Sequence, residues 1–295
     1  MAINSACVRL RGRGKAAYLT ASVHPSKALS SLDSPSDLTQ DPPLEQPREP
    51  VLNLPGALTA YVLVIAAIHL RVLLPDEWDG WIIDLFAFVP KRYDSTLMDD
   101  AFAGGTPAKI WTFVTYSLLH ANLAHIGFNV LWLLPFGSAL ARRFGSLRFF
   151  LFMAVTAAAG ALAHLVTHEH AIAPMIGASA SVSGTMAAAM RFAFVQGSFL
   201  SFSRGNADAA AKVPALSLLR ALRNRRVLGF LAVWFGVNIV FGAGGITPGA
   251  EGADVAWQAH IGGFVAGLIL FALFDPIPHV RDDAAGALPT DNTDS

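Results

Sequence analysis

Six runs of about twenty mostly apolar residues restrict this chain to the few architectures that survive in lipid. They fall at about 56–74, 119–140, 149–167, 175–195, 227–246 and 255–274. In hydrocarbon every backbone N–H and C=O must find a partner within the protein, so runs of this length predict helices. The expected fold is all-α, a polytopic bundle of six transmembrane helices. Composition points the same way: 54% of residues are hydrophobic and 14% charged, against about 25% charged in a typical soluble domain. A net charge of zero gives no footing for nucleic acid. The lipid bilayer is the partner the composition demands. The single cysteine, Cys7, rules out a disulfide framework and cysteine-based metal or nucleophilic chemistry.

Between the first two runs, residues 81–89 are too few to span and contain Asp84. With Trp78 and Trp81 beside it, this segment reads as an interfacial helix dipping into one leaflet. Arg71 ends the first run, where a long cation can snorkel to the headgroups. Basic residues set the orientation. Arg142, Arg143 and Arg148 surround the turn between runs two and three. Arg204, Lys212, Arg220, Arg223, Arg225 and Arg226 fill the connection between runs four and five. The intervening turns, at 168–170 and 244–254, hold no Lys or Arg. Both termini are therefore expected in the cytoplasm, with runs two, four and six starting outside. Lys91 and Arg92 are a modest exception in the long first loop.

Three regions are expected. Residues 1–54 form a tail, basic to residue 32 and rich in proline from Pro25 to Pro55, which reads as a disordered tether. Its Arg/Lys bias without acids also resembles an organellar transit peptide; a basic cytoplasmic tail or a misplaced start is the plainer and favoured reading. Residues 55–275 form the folded body, and 276–295 a polar tail. The connection at about 197–226 is expected to be partly helical from Pro214, with a basic face at the headgroups.

Three runs carry polar residues at their starts. Run two begins with His120, Asn122, His125 and Asn129, run four with Gly177-Ala178-Ser179, and run six with Ala259-His260. Alternate spans run in the same direction, so these groups lie at one depth on one side. Ser179 falls in the first turn of its helix, where an isolated serine reads as a cap. A serine attacks a carbonyl only when a base removes its proton. His260, an ionisable group about one turn into a span, is the candidate base; bonding to a backbone carbonyl is the structural alternative. Gly263 and Gly267, with Gly262, form a stripe free of side chains that admits close helix approach. Ala178, Ser179, Ala180, Ser183 and Gly184 make run four its small-residue counterpart. Ser181 and Ser183 read as packing residues.

His125 and Asn129 are spaced i, i+4 and share a helix face. Both can donate hydrogen bonds, and the Ser179 backbone N–H is free of an intrahelical partner. Three donors could thus converge on a developing oxyanion. His120, five residues before His125, suits a supporting, structural task.

This pattern resembles a known family. His-x-x-x-x-His-x-x-x-Asn, then Gly-x-Ser, then Ala-His-x-x-Gly-x-x-x-Gly, in six spans, is similar to the rhomboid intramembrane serine proteases over about residues 55–275. The resemblance implies a rhomboid-like bundle with a Ser–His dyad that cleaves membrane-protein substrates without metal or other cofactor. Ser179 would be the nucleophile, His260 the general base, and His125 and Asn129 the oxyanion donors, with Gly177 and His120 supporting. It implies no third member of the dyad. Two positions depart from the pattern: Ala180 stands where many members have glycine, and Trp111-Thr112 replaces a Trp-Arg pair. The second departure leaves the bracing of the first loop open. In the family, the part of the fold corresponding to run five, with Phe230, Trp234 and Phe235, is where lateral substrate entry is proposed; lipid-facing or interfacial aromatics are the plain alternative. The six-span form favours a bacterial inner-membrane protein with its site facing outward.

Other functions fit less well. A membrane zinc protease needs three or four converging ligands, and the chain has no His-Glu-x-x-His, although His164 and His168 are spaced i, i+4. A catalytically dead rhomboid relative acting as a chaperone or trafficking factor would have lost the serine or the histidine. A transporter would place its polar residues nearer the midplane.

Overall fold

A computed structural model describes residues 53–98, 101–200, 207–244 and 256–277. The expectations for the tails fall almost entirely outside these residues. Among the described residues the chain is helical, with one isolated antiparallel bridge between Phe88 and Met175. The helices are α1 (Gly56–His69), α2 (Asp76–Phe86), α3 (Gly105–Thr115), α4 (Leu123–Phe144) and α5 (Ser146–Thr167). They continue with α6 (Ser179–Ala189), α7 (Ala207–Ala211), α8 (Leu218–Arg223), α9 (Arg225–Gly244) and α10 (Trp257–Phe274). Helix α1 with its 3₁₀ extension, α4, α5, α9 and α10 are each long and apolar enough to cross a membrane. The chain is a polytopic helical membrane protein.

The fourth run differs from its expected span. Its regular helix, α6, has 11 residues, or roughly 16 Å at 1.5 Å per residue, about half the thickness of the hydrocarbon. The chain from Met190 continues as turns. Such a short helix is tolerated because α6 sees protein and not lipid: every residue from Ala180 to Ala189 is buried. Lipid supplies no hydrophobic drive between helices, so close packing of small residues must hold them together. Helix α6 supplies it, being Ala, Ser, Gly and Thr broken only by Val182 and Met186.

Glycines set the spacing between α5, α6 and α10. A Cβ on Gly263 would lie 2.7 Å from the Ala180 carbonyl carbon, and one on Gly267 would run into Gly184. A Cβ on Gly262 would lie 2.6 Å from the Ala159 carbonyl oxygen, and one on Gly160 2.8 Å from that of Ala259. Backbone touches backbone on both flanks of α10, and the packing stripe read at Gly263 and Gly267 contacts α6 directly.

A buried ion pair ties α4 to the chain after α10. Arg143 Nε and Nη2 donate to the two Asp275 oxygens at 2.9 and 2.8 Å, with both side chains fully buried. Arg143 Nη1 also donates to the carbonyls of Ala211 and Val213, at 2.9 and 2.7 Å. The guanidinium lies 4.6 Å from the Phe192 ring centroid. A bidentate pair so placed is costly to break, because the surviving charge stays in a dry site. Asp275→Ala is expected to destabilise the protein by about 3–5 kcal/mol. A thermal melt in detergent reads this, and an unchanged midpoint would show that the guanidinium finds another counter-charge.

The first loop departs from expectation in two respects. Its helix, α2, begins at Asp76, earlier than the hydrophobic run suggested, and residues 87–89 are not helical. Pro75 precedes it, and Asp76, Glu77 and Asp79 occupy its first turn, where acids complement the helix dipole. Arg71 does not snorkel outward. It is 7% exposed, pairs with Asp79, and donates to the His120 carbonyl at 2.8 Å. Trp78 and Trp81 remain exposed, as an interfacial helix requires.

The loop is braced from within. Arg92, 3% exposed, donates to the carbonyls of Ala103 (2.8 Å) and Asp84 and lies over the Phe102 ring. Trp111 Nε1 donates to Leu85 O at 3.0 Å, and Thr112 Oγ1 lies 2.9 Å from the Tyr93 hydroxyl. An arginine inside the loop thus ties its two limbs together. Asp94 accepts from Lys91 and Thr96, which hold its carboxyl well below the usual carboxylate range. The connection between α6 and α9 is helical in two short pieces, α7 and α8, the second beginning four residues after Pro214.

Candidate active site

The turn that delivers Ser179 is built from three directions. Gly177 has φ +120°, a conformation glycine adopts readily, and its N–H donates to Tyr116 O at 3.0 Å. Phe88 and Met175 exchange backbone hydrogen bonds of 3.1 and 2.8 Å, stitching the first loop to this turn. From beneath, His120 is fully buried, with Nε2 3.5 Å from the Ala178 N–H. His120 therefore underlies the turn, and Arg71 holds its carbonyl in place.

Helix α6 then starts at Ser179, with Ala178 as its cap residue and no side-chain cap hydrogen bond. The serine hydroxyl is engaged elsewhere: Ser179 Oγ lies 2.8 Å from His260 Nε2. The capping alternative fails because the first turn of α6 faces α10, and the Gly263–Ala180 contact brings the two helices together at that level. Ser179 and His260 are both part-exposed, which leaves the pair reachable.

His125 and Asn129 lie on α4, whose start is capped by Asn122 Oδ1 accepting from His125 N at 2.8 Å. The His125 ring packs against the Gly177 turn: a Cβ on Gly177 would fall 2.6 Å from His125 Nε2. Its Nδ1 faces the Ala121 N–H at 3.4 Å, which leaves Nε2 to carry the ring proton toward the turn. Asn129, 5% exposed, donates one amide proton to His125 O at 2.9 Å. Its second amide proton remains a possible donor. Of the other serines, Ser181 donates to Met153 O at 2.8 Å and Ser183 is buried in the helix interface. Among the described residues no three His, Cys, Asp or Glu side chains converge as metal ligands would. His164 and His168 stack, with ring centroids 4.6 Å apart.

One residue was missed by sequence reasoning. Asn238 on α9 lies with Oδ1 2.8 Å from His260 Nδ1. Its signal was an amide inside an otherwise apolar run, one helical turn beyond Trp234. Nothing in local sequence says that this face of α9 meets α10. The aromatics of α9 belong to the same seam: Trp234 stacks on Phe264 at 4.1 Å, and Phe235 lies 5.7 Å from it. Phe230 meets Phe136 of α4 at 6.0 Å.

The sequence matches the Rhomboid domain family over residues 107–276, more than half of the chain. The chain belongs to the rhomboid family. A rhomboid relative, the rhomboid protease GlpG of Enterobacter sp. (strain 638), is 26% identical over 161 residues. That match covers 55% of this chain and 47% of the relative, so the likeness spans about half of the relative's length. The family match takes in the His120–Asn129 stretch, the Gly177 turn and both helices that carry the Ser–His pair, and it ends just after Asp275.

Proposed function

We propose that this rhomboid is an intramembrane serine protease that cleaves peptide bonds in or near the transmembrane helices of membrane-protein substrates. The observation that carries the reading is the 2.8 Å contact between Ser179 Oγ and His260 Nε2. It is a nucleophile–base pair within hydrogen-bond reach.

Ser179 Oγ bonds to the substrate carbonyl carbon while its proton passes to His260 Nε2. The carbonyl oxygen becomes an oxyanion, met by the Ser179 backbone N–H, the Asn129 amide and the His125 ring N–H. Collapse breaks the C–N bond, and His260 returns the proton to the leaving amine. Water then attacks the acyl-enzyme with His260 again as base. The fold of the substrate is the obstacle, because a transmembrane helix hides each carbonyl in an i→i−4 hydrogen bond. Substrates with Gly, Ala, Ser or Pro near the outer interface unwind most cheaply and should be preferred. On this reading the basic connections and both termini would face the cytoplasm and the site would face outward, and the six-span form favours a bacterial inner membrane. Residues 1–54 and 276–295 would be tails to a protease domain at 55–275.

The alternative is a catalytically inactive rhomboid serving as a chaperone or trafficking factor. The test is reaction of the purified protein with a fluorophosphonate, the adduct mapped by mass spectrometry, alongside cleavage of a model transmembrane substrate. Modification of Ser179 with cleavage is expected. An unmodified Ser179 in folded protein that cleaves nothing would favour the inactive reading.

A further inference from the structure

We propose that Asn238 is the positioning residue of the Ser179–His260 pair, fixing the tautomer and the angle of the imidazole from helix α9. The inference rests on the protease reading above and assigns to the dyad a third group that the family resemblance does not require.

Hydrogen-bond geometry carries the argument. Asn238 Nδ2 donates to the Trp234 carbonyl at 2.8 Å. A carbonyl only accepts, so the amide is oriented with nitrogen toward Trp234 and oxygen toward α10. That oxygen lies 2.8 Å from His260 Nδ1. An amide oxygen also only accepts, so Nδ1 must carry the ring proton. The neutral imidazole has one proton, and Nε2 is left with its lone pair facing Ser179 Oγ at 2.8 Å. This is the tautomer that can take a proton from a serine. The other would point an N–H at the hydroxyl and could not act as base.

The register between α9 and α10 makes the contact reproducible. The helices run antiparallel, and Trp234, Asn238 and Gly242 follow at four-residue steps on one face of α9. They meet Phe264, His260 and Trp257 of α10 in reverse order. Trp234 stacks on Phe264 at 4.1 Å, Asn238 meets His260, and a Cβ on Gly242 would fall 2.5 Å from Trp257 Cγ. The polar rung lies between an aromatic stack below and a glycine above. A one-residue shift of α9 would carry Asn238 round the helix and away from the ring. The α9 span is also the least buried of the five long ones, 11% of it against 28% or more elsewhere. Asn238 thus gives the site a polar hold on a helix whose described contacts with α10 are otherwise aromatic and glycine rungs.

The test uses the full-length protein in detergent micelles. In histidine-selective ¹⁵N NMR, with the His260 signals identified from their loss in His260→Gln, the wild type is expected to be protonated at Nδ1 and bare at Nε2. Asn238→Leu removes the acceptor and is expected to give a mixture of tautomers. It should lower kcat for a transmembrane substrate about 10-fold to 100-fold, with KM little changed. Asn238→Asp keeps an oxygen facing Nδ1 and is expected to restore the Nδ1-protonated form and most of kcat. A wild type protonated at Nε2 would overturn the proposal whatever the variants do. So would equal loss in the Leu and Asp variants, or a folded Asn238→Leu with wild-type kcat and tautomer. Absence of cleavage in the wild type would sink the protease reading instead, and the ring-nitrogen signals report on Asn238 regardless.

Discussion

Ser179→Ala is expected to remove cleavage of a transmembrane substrate almost completely, with kcat down about 10⁴-fold to 10⁶-fold. At 1.36 kcal/mol per decade this is a loss of about 5–8 kcal/mol of transition-state stabilisation. The substitution deletes one oxygen atom. It adds no volume, breaks no cap hydrogen bond, and leaves the glycine contacts between α6 and α10 untouched. The melting temperature should therefore stay within a few degrees of wild type, and substrate should still co-purify with the variant. Matched wild-type and variant preparations in a gel-based assay decide the matter. Cleavage by Ser179→Ala at more than a few per cent of the wild-type rate would mean that another group is the nucleophile. Ser181 is no substitute, since its hydroxyl is committed to Met153 O on the α5 side.

Gly263→Val should also cut activity, by about 100-fold and by a different route. The first added carbon would sit on the Ala180 peptide, 2.7 Å from its carbonyl carbon, and backbone cannot move aside as a flexible side chain can. Helix α10 must back away from α6 by about an ångström or more. A displacement of that size at a catalytic contact costs about 100-fold in rate, and overpacking costs a further 1–3 kcal/mol of stability. The Ser179–His260 hydrogen bond has little slack at 2.8 Å. Both fluorophosphonate labelling of Ser179 and substrate cleavage should fall together, with a lowered melting temperature. Wild-type labelling in this variant would mean that the glycine stripe does not set the spacing of the pair. The same variant separates packing from chemistry, because Ser179→Ala is expected to lose activity at constant stability and Gly263→Val to lose both.

Much of the architecture was legible before any coordinates, for reasons specific to membranes. Lipid forces apolar runs into helices, and five of the six runs became helices with ends within a few residues of the expected ones. Two of the shifted helix starts have a local polar cause, whereas the turn between α4 and α5 is set by Gly145. Asn122 caps α4, so the helix begins at Leu123 and not at 119, and acids after Pro75 start α2 early. The fourth run is the exception, because hydropathy cannot tell residues facing lipid from residues facing protein, and α6 is wrapped by α4, α5 and α10. Arg71 failed for the same reason. A cation near a helix end has two low-energy destinations, headgroup or buried acid, and only the position of Asp79 chooses between them.

Sequence alone determined that this chain is a helical membrane protein and that a serine, two histidines and an asparagine sit at the same ends of alternate spans, because span length and alternating direction are one-dimensional properties. Tertiary structure decided which of those groups touch. The 2.8 Å hydrogen bond depends on α6 and α10 meeting backbone to backbone, and the second bond to the same imidazole on the register of α9. Contacts between helices far apart in the chain follow from shape and hydrogen-bond direction, which no local spacing encodes.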